Sequence, residues 1–191
     1  MKRAADILLA LPLTIILALP ASGIYILLKV VYGEAIFTQW RIGRHGVPFR
    51  LYKFKTLSDD ANLPEQARIT KIGHILRNSS MDELPQLINI LKGDMSLVGP
   101  RPLVIEYLSL LSKRNARRHD VKPGLTGLVQ ISGRNALSWE KRFELDLYYI
   151  KHQSWILDCK ILCITFLKMF QWNREEFIIP EKYKGEYTKE S

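Results

Sequence analysis

The stretch SSMDELPQLINILKGDMSLVGPRP places two adjacent carboxylates, Asp82 and Glu83, directly before a Leu-Pro step, and ends on Arg101 held between Pro100 and Pro102. Acids at the start of a helix are stabilised by its positive end, so the pair alone has a purely structural explanation. The arginine changes the reading, because a guanidinium fixed between prolines is a rigid fork suited to a phosphate or a carboxylate. A helix start also favours the ionised carboxylate, which makes Asp82 a nucleophile or a metal ligand rather than an acid. Two carboxylates beside phosphate-binding cations suit a hard divalent cation such as Mg²⁺, with Asp82 as ligand. Lys55, Arg77, Arg101 and Arg134 are the candidate phosphate partners, with Pro102 helping to fix the arginine.

The elements that must position these residues are legible from periodicity. Leu84, Leu87, Ile88 and Leu91 recur at helical spacing, Lys92 suits the negative end, and Gly93 reads as a left-handed cap. Ser80 with Glu83 has the form of a capping box, but Pro85 opposes it and leaves Asp82 as an alternative cap. Upstream, AIFTQWRIGRHGVPFRLYKFKTLSDD reads as a hairpin of two short strands around RHGVP. Its Arg41, Arg44, Arg50 and Lys53 form either a solvated basic face or a contact with anionic headgroups. A short helix through Ile72 and Leu76 follows. Downstream, LVIEYLSLLSKRNARRHD begins as an amphipathic helix and ends in Arg114, Arg117, Arg118 and His119, which read as a surface group. KPGLTGLVQISGRN is a loop that carries Arg134, and Trp155 to Trp172 is an apolar helix, interfacial or packed in the core. The tail after Arg174 is polar and loose.

The chain has 191 residues, a formal net charge of +9 and a pI near 9.6, enough for one domain with a core. Such a basic balance calls for a polyanionic partner: nucleic acid, an anionic membrane surface or phosphorylated small molecules. Cys159 and Cys163 lie one helical turn apart, a poor disulfide geometry, and read as reduced thiols. From Ile7 to Leu28, ILLALPLTIILALPASGIYILL carries no charge. It reads as a signal peptide, a spanning helix, or a re-entrant helix with both ends on one face. Lys2 and Arg3 before it and Lys29, Arg41 and Arg44 after it give no clear inside and outside. Pro12 and Pro20 each remove a helical hydrogen bond, and a hydroxyl such as that of Ser22 would satisfy a carbonyl freed at Pro20.

The strings KRAADILLALPL, IFTQWRIG, YKFKTLSDD, RNSSMDELPQLINILKGDMSLVGPRPL and RHDVKPGLTGLVQISGRNALSWEKRFELDLYYI resemble, almost end to end, the bacterial sugar transferases known as monotopic phosphoglycosyl transferases. IEYLSL and GRNALSWEKRFELD resemble the subgroup that uses UDP-di-N-acetylbacillosamine. The resemblance implies an α+β, mainly helical fold: a re-entrant helix over 1–30, a single catalytic domain with interfacial amphipathic helices and a small hairpin over 31–175, and a polar tail over 176–191. It implies transfer of a sugar phosphate from a UDP-sugar to undecaprenyl phosphate, releasing UMP, at the cytoplasmic face of the bacterial inner membrane. Asp82 matches the nucleophile that holds the sugar phosphate, Glu83 the residue that assists the incoming polyprenyl phosphate, and Mg²⁺ the cofactor that neutralises the diphosphate. The family breaks its re-entrant helix at the proline matching Pro20. This chain has Leu19 where a serine usually precedes that proline, which leaves Ser22 or Thr14 as the local hydroxyl.

Two other readings compete. In a non-enzymatic, membrane-tethered basic module the acids would only cap a helix. In a glycosidase the acids would flank the scissile bond, yet adjacent acids on a helix start point in different directions. Membrane lipid, the UDP-sugar and undecaprenyl phosphate are the partners implied, without nucleic acid.

Overall fold

The computed structural model describes residues 2–60, 62–133, 136–169 and 183–185. The fold is mainly helical with two small sheets, and its first element sets its relation to apolar surroundings. Among the described residues, α1 (Lys2–Tyr32) is the one helix long and apolar enough to cross a membrane. Helical conformation continues through Pro12 and Pro20, so the interruption expected at Pro20 and Ser22 is not seen. Thr14 Oγ1 donates to the Ala10 carbonyl at 2.7 Å, and Ser22 is exposed. One stripe of α1, through Asp6, Ala10, Leu17, Ala21, Ile24, Leu28 and Tyr32, packs on the rest of the chain at the spacing of a single helix face. That packing lies on both sides of each proline and offsets the missing hydrogen bonds. Leu8, Ile16, Leu19 and Val30 stand fully outward.

The start of α1 is pinned by charge. Lys2 Nζ donates to Tyr149 Oη at 2.7 Å and pairs with Asp158, and Arg3 donates to the Ile90 and Leu91 carbonyls. Those carbonyls lie at a helix C-terminus, where a cation is favourable. The buried Asp6 accepts from Ser96 Oγ at 2.9 Å and Leu97 N at 3.0 Å. Lys2 and Arg3, which read as one membrane flank in the sequence, are therefore internal fasteners.

Strands β1 (Ile36–Ile42) and β2 (Pro48–Phe54) form the expected antiparallel hairpin, turned at Arg44–Gly46 by the left-handed His45. Helices α2 (Glu65–Arg68) and α3 (Lys71–Asn78) lead to a 3₁₀ turn, Met81–Glu83, and α4 (Gln86–Lys92). Gly93 ends α4 at φ 95°, as its type and place predict. The capping box does not form: Ser80 is left-handed and makes no capping bond, Asp82 lies within the 3₁₀ turn, and Pro85 precedes the first helical residue. Strand β3 (Ser96–Val98) pairs in parallel with β4 (Gly124–Thr126), where a Cβ on Gly124 would collide with Gly99 N.

The remaining helices are α5 (Lys113–Ala116), α6 (Leu128–Ser132), α7 (Trp139–Lys151) and α8 (Trp155–Met169). Three expectations change here. The stretch read as one amphipathic helix is a 3₁₀ segment, Ile105–Leu110, followed by α5. The loop read between Lys122 and Gly133 contains β4 and α6. Tyr183, read as part of a loose tail, is buried in an aromatic cluster with Tyr107, Trp139 and Phe143. On α8, Ile161 and Asp158 face inward while Trp155, Ile156, Phe166 and Leu167 are exposed, and Cys159 and Cys163 are exposed free thiols.

Candidate active site

The left-handed turn at Ser80 (φ 57°, ψ 16°) folds the chain back from α3 and sets Asp82 inward, 7% exposed, at the edge of the hairpin. On β2 the inward positions alternate through Phe49, Leu51 and Lys53. Lys53 Nζ therefore meets the dyad, 2.7 Å from Glu83 Oε1 and 3.7 Å from Asp82 Oδ2. Arg101 Nη2 reaches the same Glu83 oxygen at 2.8 Å. Asn89, fully buried on α4, holds the two elements in register like a surrogate peptide: it accepts from Tyr52 N at 3.1 Å and donates to the Arg50 carbonyl at 2.7 Å. Arg77 Nε donates to Thr56 Oγ1 at 2.9 Å, and its charge acts on Asp82.

The two acids are driven apart. Burial pushes Asp82 above its ordinary range, opposed mainly by Lys53 and reinforced by the Glu83 charge. Burial acts the same way on Glu83, but Arg101 and Lys53 outweigh it and hold that carboxyl well below the usual range. The helix-start argument for a readily ionised Asp82 thus meets a larger opposing effect, desolvation. A three-residue 3₁₀ turn has little dipole to set against it. What results is one firmly ionised acid clamped by cations beside a more basic, buried one, the separation that assigns different roles to paired carboxylates.

The sequence profile described as "Bacterial sugar transferase" matches residues 1–172. The chain belongs to the bacterial sugar transferase family. An uncharacterized sugar transferase, EpsL, of Bacillus subtilis (strain 168) is 56% identical over 138 residues, covering 70% of this chain and 68% of that protein. The UDP-glucose:undecaprenyl-phosphate glucose-1-phosphate transferase of Escherichia coli (strain K12) is 39% identical over 186 residues, 89% of this chain and 40% of that protein. The undecaprenyl-phosphate galactose phosphotransferase of Salmonella typhimurium is 38% identical over 189 residues, 86% of this chain and 39% of that protein. The chain thus spans about two fifths of the length of these last two relatives.

Of the residues marked in the sequence of this family member, the structure brings together Asp82, Glu83, Arg101 and Arg77, with Pro102 lining a notch beside them. Lys55 is placed elsewhere. It pairs with Asp59 at 2.7 Å and Glu34 at 3.4 Å on a cavity of about 470 Å³ between α1 and β1, and Lys53 takes the position at the dyad. The signal for Lys53 was its inward phase on an alternating strand. Arg134 lies outside the described residues. Arg118 and His119, read as surface, are buried. Arg118 pairs with Asp146 of α7 through Nε at 3.0 Å and donates Nη2 to the Arg101 carbonyl at 2.9 Å, so it braces the backbone that presents Arg101. His119 is lowered to about 4 by burial and the Arg118 charge, which keeps it neutral.

Proposed function

We propose that this chain moves a sugar phosphate from a UDP-sugar to undecaprenyl phosphate, giving undecaprenyl diphosphosugar and UMP, in two steps at Asp82. The reading is carried by a buried Asp82 carboxylate on which the charges of Lys53, Arg101 and Arg77 converge, with Lys53 and Arg101 sharing one oxygen of Glu83. Such a cluster of cations suits a diphosphate. In the first step an Asp82 oxygen bonds to the phosphorus nearer the sugar as the bond to the UMP oxygen breaks, and UMP leaves. In the second, an oxygen of undecaprenyl phosphate attacks that phosphorus and the Asp82 carboxylate is released. The acceptor is already an anion. A strongly acidic Glu83 therefore serves the incoming lipid phosphate by holding Lys53 and Arg101 in place. The relatives' names, with their glucose and galactose carriers, support the reaction class. The strings shared with the bacillosamine subgroup favour UDP-di-N-acetylbacillosamine as donor.

No three His, Cys, Asp or Glu side chains converge on one point among the described residues. Asp82 alone, completed by diphosphate oxygens and water, is the donor set of a cation that keeps part of its hydration, and it fits Mg²⁺. Bound there, Mg²⁺ supplies neutralisation of the diphosphate charge. For membrane attachment we propose a monotopic arrangement on the cytoplasmic face, with α1 and the exposed apolar face of α8 in the lipid. Its support is that both ends of α1 rest on one body, through Lys2, Arg3 and Asp6 at the start and Leu28 and Tyr32 at the finish.

The test is intact-protein mass after mixing enzyme, Mg²⁺ and each of UDP-di-N-acetylbacillosamine, UDP-N-acetylglucosamine, UDP-glucose and UDP-galactose without acceptor. One donor should add a single sugar phosphate and release UMP, and Asp82→Asn should do neither. Product formed with acceptor present but without any adduct, or an adduct on Asp82→Asn, would reject Asp82 as nucleophile.

A further inference from the structure

Two buried donors next to the dyad have no hydrogen-bond partner: Arg41 Nε and Gln86 Nε2. Gln86 is 2% exposed and is the first residue of α4, four residues after Asp82. Arg41 is held by its other nitrogens, Nη1 donating to the Pro102 carbonyl at 3.2 Å and Nη2 to Gln39 Oε1 at 2.6 Å. Its strand is joined to the segment after Arg101 by an antiparallel bridge to Val104 and by Ile42 N donating to the Leu103 carbonyl. Both residues line one notch with Leu51, Lys53, Arg101 and Pro102. The notch measures about 10 Å³, room for one oxygen and too little for a phosphate. Burying an amide without a partner is costly, and such exceptions call for an explanation. Burial and the Arg101 charge lower Arg41 to about 10, against the opposing charges of Glu106 and Glu83.

We propose that Arg41 Nε and Gln86 Nε2 form an oxyanion notch that receives one non-bridging oxygen of the phosphoryl group attacked by Asp82. The notch rests on the transferase reading above. As the bond from Asp82 forms and the bond to UMP breaks, charge is carried on the non-bridging oxygens, and donors already fixed in place stabilise it without reorganising. Gln86 contributes a directional donor that the Glu83 charge cannot neutralise, while Lys53 and Arg101 contribute the net charge.

Gln86→Met keeps the length of the side chain and removes the amide. With whichever of the four UDP-sugars the wild type uses, kcat for UMP release in the presence of undecaprenyl phosphate should fall about 100-fold. KM for the donor should stay within about threefold, the pattern of an interaction made only in the transition state. The melting temperature should hold or rise, because an unpaired buried amide has been removed. Arg41→Lys keeps the charge, lacks Nε, and should lose kcat similarly. An unchanged kcat in either variant, a loss confined to KM, or a loss that tracks a lowered melting temperature overturns the notch. A wild type that releases no UMP from any of the four donors overturns the transferase reading and the notch with it. A wild type that turns over at the same rate as Gln86→Met overturns the notch alone.

Discussion

The dyad and the Arg118–Asp146 pair use the same side-chain chemistry and are closed to very different degrees. Arg118 and Asp146 are 4% and 3% exposed, one cation to one anion, with Arg118 Nη2 also donating to the Arg101 carbonyl and Nη1 left without a hydrogen bond. Around the dyad, Lys53 and Arg101 share one oxygen of Glu83, one acid is pushed up and the other down, and Arg41 Nε and Gln86 Nε2 make no hydrogen bond. Burial of charge is common to both centres. What separates the two centres is that adjacent acids at the dyad are driven in opposite directions by burial and by shared cations, the feature on which the proposed transferase reading draws.

Substitutions that separate activity from stability test this contrast most strongly. Asp82→Asn should reduce UMP release by roughly 10⁴-fold or more while leaving the thermal midpoint in place, as loss of a nucleophile does. Asp146→Asn should do the reverse first, costing about 3–5 kcal/mol because Arg118 is left buried without its counter-charge. If calorimetry showed Asp146→Asn as stable as wild type, the buried pair would not be the closed centre described.

A smaller and more specific effect concerns pH. Asp82 reacts as the carboxylate and its folded value is raised, so kcat/KM for the UDP-sugar should fall as pH drops through a limb lying above the ordinary 3.8. Lys53 opposes that rise, so Lys53→Met should move the limb further up as well as lower the plateau by about 100-fold. A limb at or below 3.8, or one that Lys53→Met leaves in place, would mean that burial does not govern Asp82.

The smallest effect is expected where the chain offers a second lysine of the same kind. Lys55 pairs with Asp59 and Glu34, whose side chains are largely exposed, and such pairs contribute little. Lys55→Met should change kcat/KM by less than about threefold. A loss equal to that of Lys53→Met would place Lys55 on the substrate and narrow the difference between the two lysines.

Local patterns carried much of this. The apolar run of α1, the hairpin around Arg44–Gly46, the Gly93 cap and the dyad just ahead of α4 each depend on residues within a few positions of one another. Charge assignments across elements were not legible in the same way. Lys53 and Lys55 are two residues apart in YKFKTL, both basic and in the same strand phase, yet one faces Glu83 and the other turns to Asp59 just after β2 ends. Arg118 and His119 look like surface cations until α7 covers them with Asp146.

By itself the sequence determined the kind of chemistry, a carboxylate pair followed by a proline-fixed arginine on a chain with one long apolar helix, because backbone stiffness and short-range periodicity act over neighbouring residues. Only the tertiary structure decided which cations meet the acids, which acid is raised, and which donors remain open. Those outcomes depend on burial and on partners tens of residues away, such as Lys53 with Glu83, Arg41 with Pro102 and Arg118 with Asp146. Packing brings them within reach, and no local pattern encodes it.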